Sequence, residues 1–441
     1  MNSTSVVVTG VMLAVLAHLP CAALAGTPQE DLIHALRNGD HAGVRALLLA
    51  GAQANRLLPD GSTPLAWAVE SQDRAMVQLL LAKGARPTAG GTTSVSVLAL
   101  ACERGDSGIV NALLDAGAIV SADQADGLTP VSLCAGHSSA AVVQRLLAAG
   151  ALVDLPDDSG QTPLMWAAAY GRVETLRLLI QRGAQVNRVS RQGFSPLFFA
   201  LKSGNPEAPL ALLQAGGDAA HVAPDGTSAV QLAMYQHDYG FAALMVERGA
   251  DLTALDRNGY ALLHAAVLAE QPQLVKLLLA KGALANALTG PSRVKRRFEV
   301  NFKVGDYETP TRSPLLLAAE LGAAALMQEL VDAGADPAFR AQDGATLVLA
   351  AVTSGKRAAL ALALQLSPDA NVTTPDGQTP LHLLLSGDVG PETGDMLRLL
   401  ADKGARVDIK SQQGQTAVDV GRASLAAMKS LFVASFGARA N

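Results

Sequence analysis

The chain has 441 residues, of which 49% are hydrophobic and only 4% aromatic, and its formal charge is −5. That mildly acidic balance lacks the basic footprint that phosphate contacts demand, which argues against a nucleic-acid partner. Length alone suggests several domains, while the dominance of Ala and Leu suits closely stacked helices whose seams Leu fills.

Met1–Ala25 opens the chain and contains no Lys, Arg, Asp or Glu. Val6–Leu19 is mostly apolar, Pro20 interrupts it, and Ala23-Leu24-Ala25 has the small-x-small form of a secretory cleavage site. The run is shorter than the roughly 20 apolar residues that span a bilayer. It reads as a signal peptide over residues 1–25, cleaved after Ala25, which places the mature chain 26–441 in the periplasm or outside the cell. Only the α-amino group supplies positive charge at this end, so a retained anchor is the competing reading. Pro20 precedes Cys21 where a lipoprotein site would carry a small residue, and no later stretch is long and apolar enough to cross a membrane.

From there the sequence repeats. Gly160–Asn187 reads Gly-Gln-Thr-Pro-Leu-Met-Trp-Ala-Ala-Ala-Tyr-Gly, then Arg-Val-Glu-Thr-Leu-Arg-Leu-Leu-Ile-Gln-Arg, then Gly-Ala-Gln-Val-Asn. Pro163 suits the first turn of a helix, because its fixed φ fits and its missing N–H is not needed there. Leu164, Ala167 and Ala168 make one apolar face, which Gly171 ends. Val173, Leu176, Leu179 and Ile180 give a second helix its stripe, and Gly183 closes it. Taking the Thr-Pro position as a ruler, Thr63, Ser96, Thr129, Thr162, Ser195, Ser228 and Ala261 follow at 33-residue steps. Ser313, Thr346, Thr379 and a shortened copy at Thr416 continue the series, and counting back from Gly51 adds a first copy from Glu30, twelve in all.

The period and the motif Gly-x-Thr-Pro-Leu-His-x-Ala-Ala followed by Gly-Ala-x-x-Asn resemble the ankyrin repeat. The resemblance implies an all-α solenoid of about twelve helix-turn-helix repeats joined by β-hairpin turns. Neighbour contacts would hold one array together, with caps at 27–59 and 411–441. It also implies a concave surface, built from hairpin tips and the inner face of the first helices, that holds a partner protein.

Asp-Gly or Asn-Gly pairs such as Asp60-Gly61, Asp225-Gly226 and Asp376-Gly377 mark the turns between copies. Pro206 and Pro209 open one second helix, where Pro209 removes an early hydrogen bond. Between Ala261 and Ser313 the step is 52 rather than 33, and the extra residues fall within 284–312. There a basic cluster, Arg293, Lys295, Arg296 and Arg297, precedes Phe298, Val300, Phe302 and Val304, which alternate with more polar residues. This is a strand pattern, and it predicts a β-finger projecting from a turn, either as a tolerated surface insertion or as a contact for a partner or anionic surface. Four further residues are inserted near Gly387–Gly394.

Little in the chain suggests chemistry. There is no phosphate-binding Gly-rich loop with Lys, no paired-His metal motif and no Cys-x-x-Cys, so no catalytic, cofactor or metal residue is assigned and an enzyme is not expected. His264 and His382 stand at the consensus His, which the resemblance assigns to hydrogen bonding between neighbouring turns. Asp157-Asp158 reads as a solvated tip. Cys102 and Cys134 are expected as buried free thiols. Stacked helices usually lie about 8–10 Å apart, whereas a disulfide needs Cα atoms within about 7 Å.

Helical spacing places offsets four, seven and eight from the ruler on the inner face. These include Trp67, Glu70 and Ser71; Leu100, Glu103 and Arg104; Trp166, Ala169 and Tyr170; Phe199, Lys202 and Ser203; and Leu232, Tyr235 and Gln236. Both tryptophans fall there, and Trp and Tyr are enriched at binding hot spots; rings that merely cover helix seams are the plainer reading. The candidate partner-binding residues are Trp67, Glu70, Trp166, Tyr170, Phe199, Lys202 and Tyr235, with Arg296, Arg297 and Phe298 of the finger. The expected function is a non-catalytic scaffold or regulator binding a protein outside the cytoplasm. The alternatives are an envelope-associated structural protein, or an inhibitor or immunity-type factor for an exported enzyme.

Overall fold

The computed structural model describes residues 28–88, 96–121, 127–291 and 310–440. These form 24 α-helices and a terminal 3-10 turn, and no strand is present among the described residues. The cleavage site and the alternating segment from Phe298 to Val304 lie outside them.

The repeat is built as its residues dictate. Helix Pro163–Ala169 begins with Thr162 as N-cap, whose hydroxyl accepts the Met165 N–H at 3.4 Å, and Pro163 fills the first helical position. The caps of Thr63, Ser96, Ser313, Thr346 and Thr379 repeat this bond. The partner helix is Val173–Gln181, and Gly183 follows it at φ 88°, a conformation that favours glycine. Leu164, Ala167, Ala168, Leu176 and Leu179 are fully buried, whereas Ile180 is half-exposed. Gln72, His237 and Glu270 adopt positive φ between the two helices of their copies, nine residues after the ruler, where other copies carry glycines such as Gly171 and Gly322. Pro209 sits in the first turn of helix Glu207–Gln214, where its missing N–H has no intrahelical partner to lose.

The contacts divide the chain into two compact units, up to Pro130 and from Val131. In the first unit, helices Pro28–Arg37, Pro64–Glu70 and Val97–Arg104 pack in succession, each against its own second helix. In the second unit, Pro163–Ala169, Pro196–Lys202, Ala229–Tyr235, Leu262–Leu268, Pro314–Leu321, Leu347–Thr353, Pro380–Ser386 and Ala417–Ala423 do the same.

Between copies, tight turns close with paired backbone bonds. At one of them the Asp157 N–H donates to the Gln161 carbonyl at 2.9 Å and the Gly160 N–H to the Asp157 carbonyl at 2.8 Å. Turns at Leu58, Ser190, Ala223, Asp256, Ala341, Thr374 and Ser411 repeat the pair. Two of them carry an isolated antiparallel bridge, Val222 with Ser228 and Lys410 with Thr416. Beyond four of the second helices an Asn clasps the next copy, at Asn55, Asn187, Asn286 and Asn371. Asn187 Nδ2 donates to the Gly216 carbonyl at 3.0 Å, and its Oδ1 accepts the Asp218 N–H at 2.8 Å.

The insertion leaves this register intact. Asn286 makes the same clasp on Gly334 at 2.9 Å and Asp336 at 2.8 Å, with partners 48 residues apart instead of the 29 between Asn187 and Gly216. The 19-residue difference is the insertion. Its base is pinned: the Thr289 N–H donates to the Arg312 carbonyl at 3.0 Å, and the Arg312 N–H donates to the Thr289 hydroxyl at 2.8 Å. The Arg312 guanidinium pairs with Glu320 at 2.6 Å and Asp343 at 2.8 Å.

One expectation is overturned. Cys102 and Cys134 are each disulfide-bonded rather than free thiols. Axis spacing was the wrong yardstick, because Cα atoms stand about 2.3 Å off a helix axis and axis distances therefore overstate Cα separations.

Candidate functional site

In the unit up to Pro130, Trp67 is half-buried and Glu70 exposed. The Arg37 guanidinium lies 5.7 Å from the centre of the Trp67 ring, and Glu70 pairs with Arg104 of the following copy. The Glu70 carboxylate is therefore already engaged.

In the unit from Val131, Trp166, Phe199, Leu232 and Tyr235 are half-buried and Tyr170 and Lys202 exposed, whereas Leu133, Leu317 and Ala350 at the same offset as Trp166 are buried. Trp166 stacks on Tyr170 with centroids 6.1 Å apart and planes 10° from parallel, and His137 meets the Tyr170 ring at 4.4 Å. Tyr170 is 47% exposed, yet its ring lies so close to the Gly136 backbone that a Cβ there would sit 2.9 Å from it. The Trp166 indole N–H donates to Asp157 Oδ2 at 3.2 Å. Asp157 is 7% exposed, and its other oxygen accepts the Ser159 and Gln161 N–H groups, both at 2.8 Å. The expected solvated tip is thus a buried turn anchor. Three donors meet one carboxylate, which tightens the turn and fixes the indole edge.

Three residues later chosen by the same spacing converge. Phe199, Lys202 and Tyr235 line a cleft of about 340 Å³ with Phe194, Phe198, Asp225, Thr227, Leu232, Gln236 and Arg257. Helices Pro196–Lys202 and Ala229–Tyr235 supply its walls, and the turns before Ser228 and Ala261 supply its rim. Its floor is apolar and aromatic. Tyr235 is fixed rather than free: its hydroxyl donates to Asp256, which also accepts the Asn258 and Tyr260 N–H groups at 2.8 Å, and Asn258 Nδ2 donates back to the phenol oxygen at 3.1 Å. Burial and the Asp256 carboxylate both push the Tyr235 phenol well above its ordinary pKa, so it stays neutral. Arg257 lies over the same ring at 5.1 Å.

His264 and His382 are buried and do what the resemblance implied. His264 Nδ1 accepts the Ala261 N–H at 3.3 Å, and Nε2 faces the carbonyls of Ala287 at 3.0 Å and Arg312 at 3.2 Å. His382 Nε2 reaches the Gln415 carbonyl at 3.1 Å.

A family model described as ankyrin repeats (3 copies) matches residues 22–91, 98–190, 133–222, 197–288 and 315–412. The chain belongs to the ankyrin-repeat family. A comparison with curated proteins returned no match. Ankyrin repeats generally mediate protein–protein interaction and are typically non-enzymatic modules. Among the described residues of this ankyrin protein, no group of three or more His, Cys, Asp or Glu could hold a metal ion. No helix among them is long and apolar enough to cross a membrane.

The structure gathers Phe199, Lys202 and Tyr235 at one cleft and Trp166 with Tyr170 in a stack. Arg296, Arg297 and Phe298 lie outside the described residues. Helical spacing missed Phe194, Asp225 and Arg257 because they stand on turns. The turn register would have found them: Asp225 and Arg257 belong to the Asp225-Gly226 and Asn258-Gly259 tips just before the ruler positions.

Proposed function

We propose that this ankyrin protein is a non-catalytic scaffold or regulator that binds a partner protein at the first-helix face of the unit from Val131. The observation that carries the reading is the cleft: residues chosen for their helical offset, from two consecutive copies, surround one aromatic-floored recess. Its volume suits one large side chain or a short segment, at the low end of the range for ligand pockets. The ring of Tyr235 is held in place before any partner arrives, which lowers the ordering cost of binding.

The reading extends to an exported protein. Two features support it, the apolar run ending in Ala23-Leu24-Ala25 and the disulfide-bonded state of Cys102 and Cys134, because disulfides persist in oxidising compartments. The test is co-purification from the exported fraction. The wild-type protein, expected to start at Gly26, should retain one stoichiometric partner. A Phe199→Ala and Lys202→Ala double variant with unchanged helical circular dichroism should lose about 2 kcal/mol or more of binding, as hot-spot truncations do. Equal retention of that partner by both proteins, or an exported chain that still begins at Met1, contradicts the corresponding half of the reading.

A further inference from the structure

The cleft also carries a charge signature that selects its occupant. Lys202 and Arg257 are exposed at its edge. Among the described residues neither makes an ion pair, although other cations do, such as Arg104 with Glu70 and Arg312 with Glu320 and Asp343. The one carboxylate lining the cleft, Asp225, already accepts the Thr227 N–H at 3.0 Å. Asp256 beneath the floor is buried and accepts the Tyr235 hydroxyl and two backbone N–H groups. Two cations that make no ion pair, against one lining carboxylate, therefore flank an aromatic recess in a chain that is acidic overall.

Resting on the protein-binding reading above, we propose that the cleft recognises an acidic peptide segment of a partner protein. An aromatic or large aliphatic side chain of that segment enters between Phe199 and Tyr235, over Leu232, and flanking carboxylates pair with Lys202 and Arg257. Guanidinium favours carboxylate through its planar donor fork, and Lys202 supplies a mobile point charge. Charge complementarity of this kind fixes the register of the segment and raises its association rate.

The test uses a random peptide library displayed on phage, selected against the full-length protein at low salt. Peptides with an aromatic or aliphatic residue flanked by Asp or Glu should be enriched. Synthetic versions should bind at least about tenfold more weakly to a Lys202→Glu and Arg257→Glu variant and lose affinity in 0.5 M salt, at which screening is nearly complete. Binding of a charge-reversed peptide, with Lys in place of the acids, should be regained by that variant. The milder Lys202→Ala and Arg257→Ala variant serves if the reversal unfolds the chain by circular dichroism. Enriched peptides without acidic residues that still lose binding on Phe199→Ala would overturn the charge assignment and leave the cleft as the binding site. No enrichment, or enrichment indifferent to both changes, would overturn both. Self-association abolished by the same variants would make a second copy of the chain the occupant and also overturn the proposal.

Discussion

At the residue scale, His264 shows how burial turns a consensus side chain into a pH-sensitive joint. Its Nδ1 accepts an N–H and its Nε2 faces two carbonyls, so only the neutral ring with its proton on Nε2 fits. Burial correspondingly pushes its pKa below the ordinary 6.5. The unfolded chain thus takes up the proton first as pH falls. The stabilising share of His264 is full above about pH 6.5 and is lost as pH drops through the range below it. Urea unfolding at pH 7.5 and 5.5 checks this: the wild type should lose more stability between those values than His264→Gln, and parallel losses would contradict it. The role of this His could be read from its place in the repeat. The role of Asp157 could not, because adjacent acids at a turn look solvated in sequence. Only the structure shows three donors, one of them the Trp166 indole, converging on it. Trp166 is accordingly a half-buried packing and turn-fixing residue, and truncating it should cost stability that a bare groove ring would not.

At the element scale, the helix pairs were legible because three independent signals recur together in most copies: a Ser or Thr cap, a Pro or apolar residue behind it, and a Gly at fixed distance. Where one signal is absent the helix still forms. Ala261 has no capping hydroxyl, yet helix Leu262–Leu268 begins on register, since packing on its neighbours supplies what the cap does not. The turns were less legible. Their closure rests on backbone pairing and on Asn clasps such as Asn187 and Asn286, which a pattern of apolar residues does not register. The base of the insertion is held by those same devices, Thr289 with Arg312 and Asn286 with Gly334 and Asp336. Deleting Val294–Asp306 should therefore leave helical circular dichroism and the unfolding midpoint nearly unchanged, since shortening a loop alters its closure entropy only slightly. Adding Asn286→Ala to that deletion should lower stability by about 1–3 kcal/mol, the cost of its two hydrogen bonds. A collapse of helical signal on the deletion alone would make the segment part of the core.

At the scale of the whole molecule, a repeat array spreads its stability over neighbour contacts and leaves the exposed face of its first helices free to vary with the partner. That freedom is why family membership was written in every copy, while the binding site had to be found by asking which offsets converge. The spacing rule located Phe199, Lys202 and Tyr235, but it treated Trp67, Trp166 and the cleft as equals. The structure separates them by what each is already bonded to. The central claim is that the partner docks at that cleft. Site-specific photo-crosslinking tests it most directly, with p-benzoylphenylalanine placed at Phe199, at Gln236, or at the exposed Arg177 of helix Val173–Gln181. The same partner band should form from positions 199 and 236 in the exported fraction and not from 177; crosslinking from 177 alone, or equally from all three, would contradict the account.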